Sequence, residues 1–277
     1  MERAAIPLGM VLMALSCAGF SAPRVPALGD EGQAGWREYL EAPDHRAFAI
    51  APGGAWSWVA GARSAAEARD KALADCHART VHGCLPYAVD DKTVFDAAAW
   101  RNAWSPYATR EKARQAVPGK GPGQRMFDVA YTDPAGRATS LSALRGKAVV
   151  LHFWGSWCAP CRRELPDLQQ LVESMAGQRD VAFVLLQVRE PAAVARRWAE
   201  TQKLSLPLSD SGSSGEEDAN LRLAGGKRMA DRDLARNFPT TFVLDRQGLV
   251  VFSHVGPVPD WPSYRELLLD VATRSGR

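Results

Sequence analysis

Two cysteines separated by two residues, placed between an apolar run and a helical pattern, constrain this chain more than any other feature. Residues 147–154 form a nearly continuous apolar run, which is the pattern of a buried strand. Leu165, Leu168 and Leu171 then recur at helical spacing. Cys158 is therefore predicted to lie just before a helix N-terminus, with Cys161 one turn further on. Unpaired N–H groups and the helix dipole favour a thiolate there, and the thiolate is the form that attacks disulfides.

A pair of this spacing can also be half of a zinc site. Structural zinc normally takes four ligands, and no second closely spaced Cys or His pair follows in residues 125–277. The strand-to-helix context favours redox chemistry instead. We therefore expect neither a metal nor a cofactor.

Residues 151–166 (LHFWGSWCAPCRRELP) resemble the thioredoxin superfamily, in particular its extracytoplasmic TlpA/ResA-like branch. Residues 238–245 (FPTTFVLD) resemble the cis-proline segment of that family. The resemblance implies an α/β thioredoxin fold over residues 125–277, with a central mixed sheet flanked by helices. It implies that Pro239 is cis and faces the cysteines, although the sequence alone does not show the isomer of this bond.

The same resemblance implies site residues. The catalytic candidates are Cys158, Cys161 and Glu164, and the substrate-binding candidates are Trp157, Pro160, Phe238 and Pro239. Without the family, Glu164 is equally well read as a solvated carboxylate that favours the helix dipole.

His152 departs from thioredoxins proper, which carry a buried aspartate six residues before the first cysteine. A histidine there could relay protons, or it could be a core imidazole hydrogen-bonded to backbone. We favour the core interpretation, and Glu164 is the better candidate for proton transfer to Cys161.

Cysteine usage indicates an oxidising compartment. Of the five cysteines, Cys76 and Cys84 form a second close pair, and Cys17 lies in residues 1–22, which have the pattern of a signal peptide. We expect export to the periplasm. Lipidation of Cys17, and hence membrane anchoring, stays open. The net charge of +3 and the lack of basic runs interleaved with aromatics argue against nucleic-acid binding.

Residues 44–96 are predicted to form a small α+β module of hairpin, helix and hairpin, and residues 97–124 a linker. A Cys76–Cys84 disulfide would stabilise so thin a core by about 2–3 kcal/mol. Cys76, His77, His82 and Cys84 could instead be a metal cluster, which the compartment disfavours. The module resembles a small uncharacterised module of secreted bacterial proteins. Residues 209–237 are longer than the family usually carries; they are a solvated insertion or a partner-selecting one.

These observations predict a periplasmic thiol–disulfide oxidoreductase that reduces exported protein disulfides and is recharged by a membrane thiol reductant. By resemblance, the targets include apocytochrome c cysteines, although the Gly-Val-x-Gly-x-Pro-Glu pattern of dedicated cytochrome c maturation thioredoxins is missing. One alternative is a disulfide-forming oxidase. The other is a binding protein that docks partners, or that holds copper through both cysteines and a histidine such as His254.

Overall fold

The computed structural model of the chain describes residues 24–104 and 107–275. The predicted signal segment, residues 1–22, including Cys17, lies outside the described residues. Within the two described ranges, no helix is both long enough and apolar enough to cross a membrane.

The first unit is a four-stranded antiparallel sheet with one helix on each face. Its elements are α1 (Asp30–Glu41), β1 (Ala47–Ile50), β2 (Trp56–Val59), α2 (Ala65–His77), β3 (Leu85–Val89) and β4 (Lys92–Thr93). The strand order is β2-β1-β3-β4. Both predicted hairpins are confirmed. Helix α1 precedes the expected range of 44–96, so this unit begins earlier in the chain than the hairpin pattern indicated.

Alternation along β1 produces the two halves of this small core. Phe48 and Ile50 pack on the α1 side, where Trp36 and Tyr39 meet them. The opposite face is built from alanines of β1 and α2. Ser64 caps α2 by accepting a hydrogen bond from the Glu67 N–H (3.2 Å).

The connecting region holds two short helices, α3 (Ala97–Asn102) and α4 (Arg110–Arg114). Trp104 is buried, and its ring lies 4.7 Å from that of Phe252 and 5.3 Å from that of Tyr264 in the second unit. Trp100 packs against the cores of both units. The predicted linker is therefore partly a packed element that ties the two units together.

The second unit is built on a seven-stranded mixed sheet. Its strands are β5 (Ala130–Thr132), β6 (Ala138–Ser140), β7 (Ala148–Trp154), β8 (Val181–Gln187), β9 (Leu208–Asp210), β12 (Thr240–Leu244) and β13 (Val250–Val255). The strand order is β13-β12-β7-β8-β9-β5-β6. Its longer helices are α5 (Ala159–Ser174), α6 (Ala192–Thr201) and α8 (Arg265–Arg274). Strands β7, β8 and β9 run parallel, and β12 pairs with β7 and β13 in antiparallel fashion. The predicted thioredoxin-like fold is confirmed.

All seven residues of β7 are buried, as expected of a strand at the centre of a sheet. Val150 and Trp154 point toward the core shared with α5, α6 and α8. Val149, Leu151 and Phe153 point to the other face.

That other face is covered in part by the extra segment of residues 209–237, which folds rather than remaining a free loop. The segment contains the hairpin of β10 (Asn220–Arg222) and β11 (Arg228–Ala230), followed by the short helix α7 (Asp231–Leu234). Helix α7 is only one turn long. Leu221 and Leu234 anchor the segment in the core.

Candidate active site

The two cysteines lie at the junction between β7 and α5. Cys158 is the N-cap residue of α5, and the Cys161 N–H points at its sulfur with a nitrogen–sulfur distance of 3.3 Å. The two sulfurs form a disulfide. Cys158 is 5% exposed and Cys161 is fully buried. An attacking thiolate on Cys158 would be stabilised by the helix N-terminus, while Cys161 is shielded from solvent.

Glu164 lies one helical turn after Cys161 and, like it, is buried. One carboxylate oxygen, Oε2, accepts hydrogen bonds from the Val258 N–H (2.8 Å) and the Trp261 indole N–H (3.1 Å). Burial raises the pKa of Glu164 from its ordinary 4.5 to about 8, against the lowering effect of these two donors. The carboxyl group therefore holds a proton at neutral pH and can exchange it near the pKa of an ordinary thiol, about 8.5.

His152 faces the second oxygen of the same carboxyl group. Its Nε2 lies 3.4 Å from Glu164 Oε1, and neither atom forms a hydrogen bond. The other ring nitrogen, Nδ1, lies 2.9 Å from the Thr241 hydroxyl. Burial lowers the pKa of His152 to about 3, so the ring stays neutral across the physiological range. His152 is thus a core imidazole, but its partners are side chains rather than the backbone that the sequence suggested.

The Phe238–Pro239 peptide bond is cis, as the resemblance implied. Pro239 is buried immediately before β12, and its carbonyl accepts a hydrogen bond from the Gly256 N–H (2.9 Å). The Phe238 ring meets the Trp157 ring edge-on at 5.7 Å. This contact places the cis-proline segment beside the cysteine turn, although the two are about eighty residues apart in sequence.

Trp157 is the large exposed apolar residue of the site, at 48% exposure. Its indole N–H donates to the Val188 carbonyl (3.0 Å), which fixes the ring across the cysteine turn. Gly155 makes room for it, because a Cβ there would lie 2.3 Å from the indole nitrogen. A held, exposed ring next to a reactive sulfur is suited to packing against a bound polypeptide.

A cleft of about 450 Å³ opens beside Trp157 and extends to the extra segment; Val194, Glu216 and Arg232 line part of it. Arg189 lines it too and forms a two-pronged ion pair with the buried Asp231 of α7 (2.6 and 2.9 Å). The guanidinium groups of Arg189 and Arg232 both lie over the Phe238 ring, at 5.7 and 5.3 Å from its centroid. The extra segment therefore contributes directly to the surface around the cysteines.

The second cysteine pair is also joined, with Cys76 and Cys84 forming a disulfide in the small unit. His77 accepts a hydrogen bond from the Cys84 N–H (3.2 Å), while the His82 ring stacks on Phe252 of the large unit. His254 is hydrogen-bonded to the Pro257 carbonyl (3.1 Å). Within residues 24–104 and 107–275, no group of three or more His, Cys, Asp or Glu side chains is arranged to hold a metal ion.

Several contributors to the site were not predicted from the sequence. Val258 and Trp261 hold Glu164, Thr241 meets His152, and Glu190 accepts hydrogen bonds from both the N–H and the hydroxyl of Ser156. Of these residues, only Trp261 lies in a recognisable local pattern, since it stands between Asp260 and Pro262 at the start of a helix. The others are contacts between segments that no local pattern connects.

A CxxC disulfide at the start of a helix, a neighbouring cis-proline and a buried proton-carrying carboxyl on a thioredoxin-like sheet define a thiol–disulfide oxidoreductase. The sequence profile of the Redoxin family matches residues 121–268, which is just over half of the chain. The chain belongs to this family, and its large unit is an oxidoreductase domain of the ResA type.

Two sequence relatives agree with this assignment. The chain is 32% identical over 140 residues to the thiol-disulfide oxidoreductase ResA of Geobacillus thermodenitrificans, covering 50% of this chain and 70% of that protein. It is 28% identical over 168 residues to the thioredoxin-like protein YneN of Bacillus subtilis, covering 60% and 89%. A solved thiol:disulfide interchange protein of Chlorobium tepidum is 25% identical, with a TM-score of 0.39 and coverage of 56% and 99%.

Proposed function

We propose that this chain is a periplasmic reductase of disulfides in exported proteins, working through the Cys158/Cys161 dithiol. The observation that carries the proposal is the pairing of a lightly exposed sulfur at a helix N-cap with a buried sulfur that has the buried carboxyl of Glu164, whose pKa is raised by burial, one turn away. The first sulfur is placed to attack, and the second to resolve.

In the first step, the Cys158 thiolate attacks one sulfur of a target disulfide. A bond forms between Cys158 and that sulfur, and the second target sulfur leaves as a thiolate that takes up a proton. The Trp157 ring, Pro160 and the Phe238–Pro239 segment would contact the target polypeptide. The backbone before β12 is the part that would pair with an extended target strand.

In the second step, the ionised form of Glu164, about a tenth of the population at pH 7 for a pKa of about 8, takes the proton of the Cys161 thiol. The resulting thiolate attacks Cys158, forms the Cys158–Cys161 disulfide and releases the first target sulfur as a thiolate. Two electrons have then passed to the target. A membrane thiol reductant would return two electrons and two protons to the enzyme. Burial raises the pKa of Glu164 to about 8, which lies close to the reference pKa of a cysteine thiol, about 8.5, so the carboxylate is a base suited to accept a thiol proton.

The reduction potential of the Cys158/Cys161 pair tests the direction of electron flow. The mature protein is equilibrated in glutathione buffers, and alkylation of the two thiols is followed, with Cys158→Ser as the control that removes the signal. A potential well below about −200 mV supports a reductase. A value near about −120 mV, that of a strong periplasmic oxidant, would reverse the direction and make the chain a disulfide-forming oxidase.

Trapping identifies the targets. Cys161→Ala blocks the second step, so we expect partner-linked disulfides to accumulate in cells. The matched control is the double variant Cys158→Ala, Cys161→Ala, which should form none. Exported proteins, with apocytochrome c among them, are the expected partners. Adducts that persist in the double variant would contradict the assigned role of Cys158.

A further inference from the structure

The two hydrogen-bond donors that hold Glu164 come from one short, stiff segment. Residues 257–261 (PVPDW), here called the clamp, carry both the Val258 N–H and the Trp261 indole, and both donate to the same oxygen of Glu164. Pro257 and Pro259 fix their own backbone φ angles, and Asp260 adopts a left-handed conformation (φ 52°). Because the backbone dihedral angles of the clamp are restricted, a displacement of one of its residues also displaces the others.

The small unit packs against the far side of the clamp. The β1–β2 turn lies against Pro259 so closely that a Cβ at Gly54 would sit 2.3 Å from Pro259 Cγ and 2.9 Å from the Ala27 carbonyl oxygen. Gly29, at the start of α1, approaches the same proline, with a Cβ position 3.2 Å from Pro259 Cβ. Ala27 belongs to the same buried cluster as Val258 and Trp261.

A buried hydrogen bond joins the β1–β2 turn to Tyr264, which follows the clamp in sequence. The Gly53 N–H donates to the Tyr264 hydroxyl over 2.8 Å, in a fully enclosed position. Tyr264 ends the 3₁₀ turn Trp261–Tyr264, and its ring lies 5.9 Å from that of Trp261. The turn therefore touches the clamp at Pro259 and secures Trp261 from behind through Tyr264.

We infer that the small unit is a positioning element for the active site: its β1–β2 turn holds the clamp so that Val258 and Trp261 stay within hydrogen-bond distance of Glu164. The inference rests on the proposed function only in assigning Glu164 the proton of Cys161. It gives the uncharacterised module a role in the chemistry, and it explains why this turn carries two consecutive glycines with positive φ.

Other charged or titratable groups also surround Glu164. His152 faces it from β7, and Asp167 on α5 raises its pKa. The clamp contributes Asp260, which pairs with Arg24 at 3.8 Å, on the side of the small unit. The turn itself acts on Glu164 through the position of two donors rather than through a charge, because Gly53 and Gly54 carry none.

Two substitutions test this coupling. Gly54→Ala pushes Pro259 with a Cβ, and Tyr264→Phe removes only the hydroxyl that accepts from Gly53. The matched control is Gly61→Ala, since Gly61 has a similar positive φ (66°) at the other end of the same hairpin but no atom within 4 Å of its Cβ position. The readout is the titration of the Glu164 carboxyl carbon by NMR in the oxidised protein, with Glu164→Gln to assign the signal.

The expected result is a rise of the Glu164 midpoint by about one pH unit in Gly54→Ala, because the ionised carboxylate loses donors. A smaller rise is expected in Tyr264→Phe, and none in Gly61→Ala. Unchanged midpoints in both test variants would overturn the inference. If Gly54→Ala does not fold, as judged by circular dichroism, Tyr264→Phe alone decides.

The titration separates this inference from the proposed function, because it needs no turnover. A shifted midpoint in a protein that reduces no disulfides would support the clamp and refute the reductase. Normal Cys158-dependent reduction of disulfides with unshifted Glu164 midpoints would support the reductase and refute the clamp. In an enzyme with both cysteines, the pH midpoint for release of the target from its mixed disulfide with Cys158 should move in the same direction as the NMR midpoint.

Discussion

Replacing Glu164 by glutamine should isolate the contribution of one buried carboxyl group to the pH dependence of stability. The carboxyl is 5% exposed, so solvent screens it little. Glutamine keeps the shape: its oxygen can accept from the Val258 N–H and the Trp261 indole, and its amide can donate to Nε2 of His152, which has no other partner. The variant therefore removes the titration while preserving the contacts.

The sign and the size follow from the shift. Burial raises the pKa of Glu164 from 4.5 to about 8. Between pH 4.5 and pH 8, therefore, the unfolded state has lost a proton that the folded state retains. Native stability is unaffected by this group below pH 4.5 and falls as the pH rises toward 8. The slope approaches about 1.4 kcal/mol per pH unit, and the whole shift amounts to about 5 kcal/mol. Glu164→Gln should not show this loss.

The assay is urea unfolding of the oxidised proteins at a series of pH values from about 4 to 9, which spans the shift. The free energy of unfolding of Glu164→Gln minus that of the wild-type protein should grow by about 5 kcal/mol as the pH rises across the series. Other buried carboxyls and histidines are common to both proteins and cancel in this difference. Glu173→Gln, an exposed position on the same helix, should give a flat difference. A flat difference for Glu164→Gln as well would refute the burial argument.

Two further outcomes are expected. Replacing Cys76 and Cys84 by alanine should lower the stability of the small unit by about 2.5 kcal/mol, since the bridge closes a loop of only eight residues; an unchanged Tm would show that the core holds without it. Gly155→Ala should displace the Trp157 ring and raise KM for protein disulfides several-fold, while the reduction of a small disulfide such as oxidised glutathione stays within about twofold. Equal effects on both substrates would argue against substrate contact by Trp157.

Much of the catalytic turn was predictable because its signals are local. An apolar run, a cysteine pair and leucines at helical spacing specify a buried strand, a helix start and a helix, and the structure places β7, Cys158 and α5 accordingly. The hairpins of the small unit were predicted for the same reason. Each of these features depends on hydrogen bonds or side-chain periodicity within a few residues.

The less local features were predicted poorly. Helix α1 was not anticipated, since its face toward β1 is defined only once Phe48 and Ile50 are in place. The extra segment was expected to be a solvated or partner-selecting insertion, whereas Leu221 and Leu234 anchor it to the sheet, and an ion pair between Arg189 and the buried Asp231 brings it to the cysteines. No local pattern links residues 42 positions apart.

The sequence by itself determined the chemistry, because a strand–turn–helix context places two cysteines of this spacing at a helix N-terminus, where they can form a reactive disulfide. Only the tertiary structure decided the proton behaviour of the site. The pKa of Glu164 depends on its burial, on Nε2 of His152 facing one oxygen, and on two donors from residues 257–261 reaching the other. Desolvation and hydrogen bonding are properties of the assembled surroundings, so they become readable only after distant segments, including the turn of the small unit, have packed together.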